Sequence, residues 1–306
     1  MSHATGRVWS PVITPFSQDL AADTERFVAQ CRWLLDADVG LAVFGTNSEA
    51  NSLSVEEKIR LLDALIEAGI PAARLMPGTG ACALPDTVAQ TRHAVGKGVE
   101  GVLMLPPFYY KGVSDEGLFR YFSEVIERVG DDALRIYLYH IPPVSQVPLS
   151  LTLVERLLAA YPRNVVGVKD SSGDWANTRA LIDNFAADGF QVYAGSEPFL
   201  LQTLRAGGAG CISATANVNP APIARLARDW QAADADAQQA ALIRTRKLFE
   251  RFPMIPALKA VTARYSGVGQ WARLRPPLVE LDETQCQELF ASLDEIGFDM
   301  PGLKHS

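Results

Sequence analysis

Val165-Val166-Gly167-Val168-Lys169-Asp170-Ser171-Ser172 is an apolar run that ends on a single lysine. Its length and its turn-forming flank predict a buried strand with the lysine at its C-terminal end. One strand–helix unit upstream, Arg135-Ile136-Tyr137-Leu138-Tyr139-His140-Ile141-Pro142 has the same character and ends on a tyrosine. Such runs recur along the chain, at 8–13, 39–45, 74–78, 101–105, 135–139, 165–169, 191–194 and 210–213. Stretches of helical period lie between them. Phe27, Val28, Cys31, Leu34 and Leu35 fall on one helix face. Ser54-Val55-Glu56-Glu57 has the spacing of a capping box and leads into Ile59, Leu62, Leu65 and Ile66. Further helices are predicted from Ser114, after Pro148, from Asp174 and over 198–206.

Eight strand–helix alternations predict an α/β fold, a (β/α)8 TIM barrel. An open doubly wound sheet would place a glycine-rich phosphate turn after its first strand. Here that strand runs into Ile13-Thr14-Pro15-Phe16. After Asn219 the strand pattern stops, and helices are predicted over 221–232, 235–252, 256–265 and 282–296. Leu274-Arg275-Pro276-Pro277 links the last two. The expected organisation is a barrel over 1–230 and a C-terminal helical extension over 231–306.

Composition narrows the function classes. The chain has 306 residues, 48% hydrophobic and 21% charged, which suits a globular core that needs no metal or disulfide. A net charge of −7 argues against nucleic acid and acidic membranes as partners. Met1–Val8 shows no apolar signal core, and no apolar run is long enough to span a bilayer. Cys31, Cys82, Cys211 and Cys286 are scattered, so reduced thiols and a cytoplasmic location are expected, with Cys82 and Cys211 as buried packing residues. Zinc-ligand spacing is absent, and the expectation is no metal and no cofactor.

In a barrel, the residues at the C-terminal strand ends converge on one site. A lysine leaving a buried strand loses hydration, which disfavours its ammonium form. Its neutral amine attacks carbonyl carbon, and a neighbouring tyrosine hydroxyl can move the protons. Lys169 and Tyr139 therefore point to Schiff-base chemistry on a keto acid. The structural alternatives are a snorkelling lysine and a satisfied core tyrosine. The other strand ends contribute Thr14, Gly45-Thr46-Asn47-Ser48-Glu49, Pro106-Pro107-Phe108-Tyr109-Tyr110, Gly195-Ser196-Glu197 and Ile212-Ser213.

Those strand ends carry a resemblance. The chain resembles the dihydrodipicolinate synthase / N-acetylneuraminate lyase family of pyruvate-dependent class I aldolases, over residues 8–217 in spacing and order. Gly45-Thr46-Asn47-Ser48-Glu49 stands at the family's Gly-[Thr/Ser]-Thr-Gly-Glu loop. Tyr139-His140-Ile141-Pro142 stands at its Tyr-Asn-[Ile/Val]-Pro segment, and Lys169-Asp170-Ser171-Ser172-Gly173 at its Lys-Asp-Ser-Ser-Gly block.

The resemblance implies catalytic roles for Lys169 (imine), Tyr139 (acid/base), Thr46 (proton relay) and Tyr109 (a relay tyrosine crossing a dimer interface). It implies a homodimer or homotetramer and a small-molecule 2-oxo acid as partner. Asn47 and the Ile212 carbonyl would bind the keto acid, while Gly195, Ser196, Glu197 and Ser213 would meet the remainder of the substrate. In the family's synthases an arginine two residues after the Tyr-Asn-[Ile/Val]-Pro proline grips the aldehyde's carboxylate; Pro142 is followed here by Pro143 and Val144. The expected activity is thus a lyase on pyruvate or a 2-keto-3-deoxy acid, by aldol cleavage, condensation or dehydration. The alternatives are a synthase joining pyruvate to aspartate semialdehyde, and a non-catalytic 2-oxo-acid-binding barrel. Ser48 replaces the loop glycine, so its backbone must avoid conformations only glycine tolerates.

Overall fold

The computed structural model describes residues 6–303; residues 1–5 and 304–306 of the two expected segments lie outside the described residues. The strands are β1 (Arg7–Ser10), β2 (Gly40–Leu41), β3 (Val102–Met104), β4 (Ile136–His140), β5 (Val165–Asp170), β6 (Gln191–Ala194) and β7 (Gly210–Ile212). They pair in parallel in the order β2-β1-β7-β6-β5-β4-β3. Leu75 bridges Leu41 of β2, and Gly78 bridges Leu103 of β3, so residues 75–78 close the curl into a barrel.

This third segment is less regular than the apolar run at 74–78 predicts. Met76 and Gly78 donate to the carbonyls of Leu41 and Val43, at 2.9 and 2.7 Å, but Pro77 between them has no N–H to give. β2 is also shorter than the predicted 39–45. Phe44 takes a left-handed φ of 61° there and turns the chain into the loop that follows.

The helices are α1 (Thr24–Asp36), α2 (Val55–Glu67), α3 (Leu84–Gly96), α4 (Asp115–Val129), α5 (Pro142–Ser145), α6 (Leu151–Ala160), α7 (Trp175–Phe185), α8 (Leu200–Arg205), α9 (Pro220–Arg228), α10 (Ala235–Phe249), α11 (Met254–Ser266) and α12 (Glu283–Glu295). Their starts follow from side chains. Ser54 accepts from the Glu57 N–H while Glu57 accepts from the Ser54 N–H, closing the predicted capping box. Ser114, Ser150 and Asp174 cap α4, α6 and α7 in the same sense, each cap being worth about 1 kcal/mol.

Inside the barrel, Trp9, Met76, Leu103, Tyr137, Tyr139, Tyr193 and Ile212 pack on one another. Tyr137 fixes the residue opposite it. A Cβ on Gly167 would lie 2.6 Å from Tyr137 Cδ1, so only glycine fits two positions before Lys169. Outside the sheet, the helices bury a larger aliphatic and aromatic core. A third cluster joins Ile13, Ala214 and Val218 at the strand ends to Phe249, Leu258, Val261 and Leu289 of α10, α11 and α12. The C-terminal helices therefore share a core with the C-terminal strand ends of the barrel. None of the helices among the described residues is long and apolar enough to cross a membrane.

The cysteines are all free, and Cys31 and Cys211 are buried. Cys82 is exposed, against the expectation of a packing role, because it sits on the loop just before α3 rather than on a strand.

Candidate active site

Tyr139 and Lys169 are direct partners in the β4–β5 register, which places their side chains next to one another inside the barrel. Lys169 Nζ donates to the Tyr139 hydroxyl at 3.1 Å and lies 4.2 Å from the centre of the tyrosine ring. Thr46 Oγ1 is 3.2 Å from the same hydroxyl. Both Lys169 and Tyr139 are 2% exposed, so the amine does not snorkel to bulk water. A lysine amine, a phenol and a threonine hydroxyl in one chain, at the bottom of an open cavity, are the components of imine formation with proton relay.

The loop that delivers Thr46 is built by its own short hydrogen-bond network. Ser48 Oγ accepts from the Gly45 N–H at 3.1 Å, and Thr14 Oγ1 donates to the Ser48 carbonyl at 2.7 Å. The left-handed positions are Phe44 and Glu49, not Ser48, so the serine is accommodated where the resemblance has glycine.

Glu49, at φ 56°, turns its carboxylate into the protein against Lys259 of α11. Lys259 also donates to the Arg273 carbonyl at 2.7 Å, and both ionic side chains are fully buried. Burial is the largest influence on each. It draws the Lys259 ammonium down to about 8 and pushes the Glu49 carboxyl up, with their mutual attraction opposing both shifts. Arg275 continues the network, pairing with both oxygens of Glu57 at 2.5 and 2.8 Å and donating to the Ser52 carbonyl at 2.6 Å. Hydrogen bonds from Arg275 hold the Glu57 carboxyl down at about 2. The loop bearing Thr46 and Asn47 is thus tied to the C-terminal helices by buried ions.

Lys169 opens onto a cavity of about 530 Å³. Of the residues singled out in the sequence, Thr46, Asn47, Tyr139, Lys169, Gly195 and Ser196 line it. The others do not. Ile212 packs in the barrel interior. The Glu197 carboxylate, 1% exposed, accepts from the hydroxyls of Ser213 and Thr215, so these groups satisfy one another away from the cavity wall. Tyr109 is 75% exposed and stacks edge-on against Tyr110. Gly195 serves a packing need: a Cβ there would stand 2.1 Å from Ser171 Oγ.

His140 turns away from the reacting groups. Its Nδ1 accepts from the Leu149 N–H at 3.0 Å, and burial holds the imidazole below its usual range. Asp170 organises the loop after β5, accepting from Thr178 Oγ1 at 2.6 Å and Asn177 Nδ2 at 3.0 Å.

Three lining residues come from α10 and a fourth from its C-cap, all left outside the site by the sequence reading: Ile243, Arg246, Lys247 and Glu250. Their spacing of i, i+3, i+4 and i+7 puts them on one helix face. That stripe, carrying two cations and a carboxylate where a core-facing helix should be apolar, was the available signal.

Comparison with known proteins agrees with this fold. The model of the dihydrodipicolinate synthetase family matches residues 4–296. A DapA-like lyase of Chloroflexus aurantiacus is 36% identical over 291 residues, covering 94% of this chain and 95% of that one. The crystal structure of dihydrodipicolinate synthase from Agrobacterium tumefaciens superposes with a TM-score of 0.88 at 31% identity, covering 95% of this chain and 99% of that one. The structure of YagE, a prophage protein of the dihydrodipicolinic acid synthase family from E. coli K12 in complex with pyruvate, gives a TM-score of 0.86 at 27% identity, covering 95% and 98%.

Proposed function

The chain belongs to the dihydrodipicolinate synthetase family and is a class I lyase, and from that premise we propose that Lys169 forms an imine with pyruvate or a 2-keto-3-deoxy acid. The observation that carries this reading is the Lys169–Tyr139–Thr46 chain of contacts at 3.1 and 3.2 Å. Lys169 Nζ adds to the C2 carbonyl, and water leaves with protons shuttled through the Tyr139 hydroxyl. In the cleavage direction the C4 hydroxyl gives its proton to that relay. The C3–C4 bonding electrons then pass into the protonated imine, an aldehyde departs, and reprotonation at C3 and hydrolysis release pyruvate. Asn47 holds the keto-acid carboxylate through a hydrogen bond donated by its amide, and Thr46 relays protons to Tyr139.

Pyruvate bound to YagE supports the keto-acid half of the substrate. The second reading, synthase activity with aspartate semialdehyde, is favoured by the Agrobacterium relative's name. Val144, which lines the cavity, offers no charge where the synthases' arginine would stand. A family of lyases sets aside the reading as a mere binding barrel. We take the barrel as 1–230, the helical extension as 231–306, the location as cytoplasmic and the assembly as at least a homodimer. Tyr109 and Tyr110, 75% and 69% exposed side by side, are aromatic anchors of the kind enriched in interface cores.

Assaying 2-keto-3-deoxy acids beside pyruvate plus aspartate semialdehyde, over a dilution series, tests the whole reading. Cleavage or dehydration of a 2-keto-3-deoxy acid should be the faster reaction, and activity per subunit should fall once the oligomer dissociates. Condensation with the semialdehyde as much the fastest reaction would reverse the order of the two readings. Full activity from a monomer would remove Tyr109 from the site.

A further inference from the structure

We propose that Arg246 of α10 is the specificity-determining clamp for a second, distal carboxylate, so that the substrate is a 2-oxo acid carrying a carboxylate at its far end. This rests on the imine reading of the same cavity. Arg246 lines that cavity together with Lys169 and Tyr139, and its side chain is 14% exposed. Its Nε donates to Glu250 at 2.8 Å. Its Nη1 is buried and forms an ion pair with Glu197 at 3.7 Å, beyond hydrogen-bonding range, while Nη2 has no protein partner among the described residues.

The surroundings set which donor is left for a ligand. Glu197, which accepts from the Ser213 and Thr215 hydroxyls and does not line the cavity, stands against the buried Nη1. Glu197 and Glu250 therefore hold the guanidinium in orientation without saturating it. A guanidinium pre-oriented in this way, with Nη2 unmet, fits a carboxylate through a charge-assisted bond. Lys247, the next residue on the same helix face, adds a second positive charge to that wall. A polyol tail would leave the Arg246 charge without a counterpart other than the two glutamates already present. The cation missing after Pro142 is thus supplied from α10, a different element.

The test compares two six-carbon 2-keto-3-deoxy acids that differ only at C6, one ending in carboxylate and one in hydroxymethyl, on wild type, Arg246→Met and Arg246→Lys. The wild type should favour the carboxylate-ended acid in kcat/KM. Arg246→Met should reduce that preference roughly 30- to 1,000-fold, the range for removing one member of a buried charge pair, chiefly through KM. Arg246→Lys keeps the charge but not the fork and should fall between the two. Borohydride trapping of pyruvate on Lys169 is run on all three proteins. Trapping that persists while the preference collapses supports the clamp. Persistent trapping with an unchanged preference, or a wild type that favours the hydroxymethyl acid, overturns it. Trapping that fails in the wild type overturns the imine reading instead. Should Arg246→Met not fold, the Arg246→Lys comparison decides alone: an unchanged preference refutes the clamp.

Discussion

Tyr139→Phe lowers turnover by roughly 10²–10⁴-fold while the protein stays folded. The substitution keeps the ring that packs among Trp9, Tyr137 and Tyr193 and removes only the hydroxyl. That hydroxyl accepts from Lys169 Nζ at 3.1 Å and meets Thr46 Oγ1 at 3.2 Å, so one atom carries both relay contacts. Lost hydrogen bonding by itself would cost about 0.5–1.5 kcal/mol of stability. Steady-state kinetics at saturating substrate, paired with urea unfolding, separates the two roles. A variant that unfolds about 1 kcal/mol more easily yet turns over normally would make Tyr139 a packing residue.

Lys259→Met destabilises the protein by about 3–5 kcal/mol, although Lys259 is not among the cavity-lining residues. Methionine fills much of the space and loses the charge, leaving the Glu49 carboxylate buried. The contact left to Glu49 among those described would be the Arg275 N–H at 3.4 Å, far weaker than the ammonium it replaces. Pairing the change with Glu49→Gln should restore part of the loss, because an uncharged pair avoids the desolvation penalty. Urea titration of the two single variants and the double variant measures this directly. A loss below about 1 kcal/mol in Lys259→Met, or no recovery in the double variant, would show that the pair does not hold the Thr46 loop to α11.

Much of this architecture was legible in the chain because parallel barrel strands are apolar on both faces and bounded by polar turns. The run at 165–169 and the tyrosine-ended run at 135–139 appear as β5 and β4, with Tyr139 opposite Lys169 in register. Ser54, Ser114 and Asp174 announced their helices through local capping chemistry, which needs no tertiary information. The irregular third segment was not legible, since its hydrogen bonding depends on Pro77 and on a left-handed turn at Phe44.

Site residues divided along the same line. Tyr139 and Lys169 sit at strand ends, where the barrel fixes their direction, and Thr46 follows on the loop after β2. Glu197 and Ser213 sit there as well, yet they bond to one another, and no strand-end rule reports which polar groups pair. Arg246 and Lys259 come from helices distant in sequence, and their arrival at the cavity and beneath the Thr46 loop is a tertiary event. The charged stripe at Ile243, Arg246, Lys247 and Glu250 was the one local trace of it.

Reductive trapping tests the central claim most directly. Borohydride added in the presence of pyruvate should increase the protein mass by one reduced pyruvate adduct per chain, and peptide mapping should place it on Lys169, with Lys169→Ala giving none. A protein left unmodified, or labelled instead at another amine such as Lys259, contradicts the account.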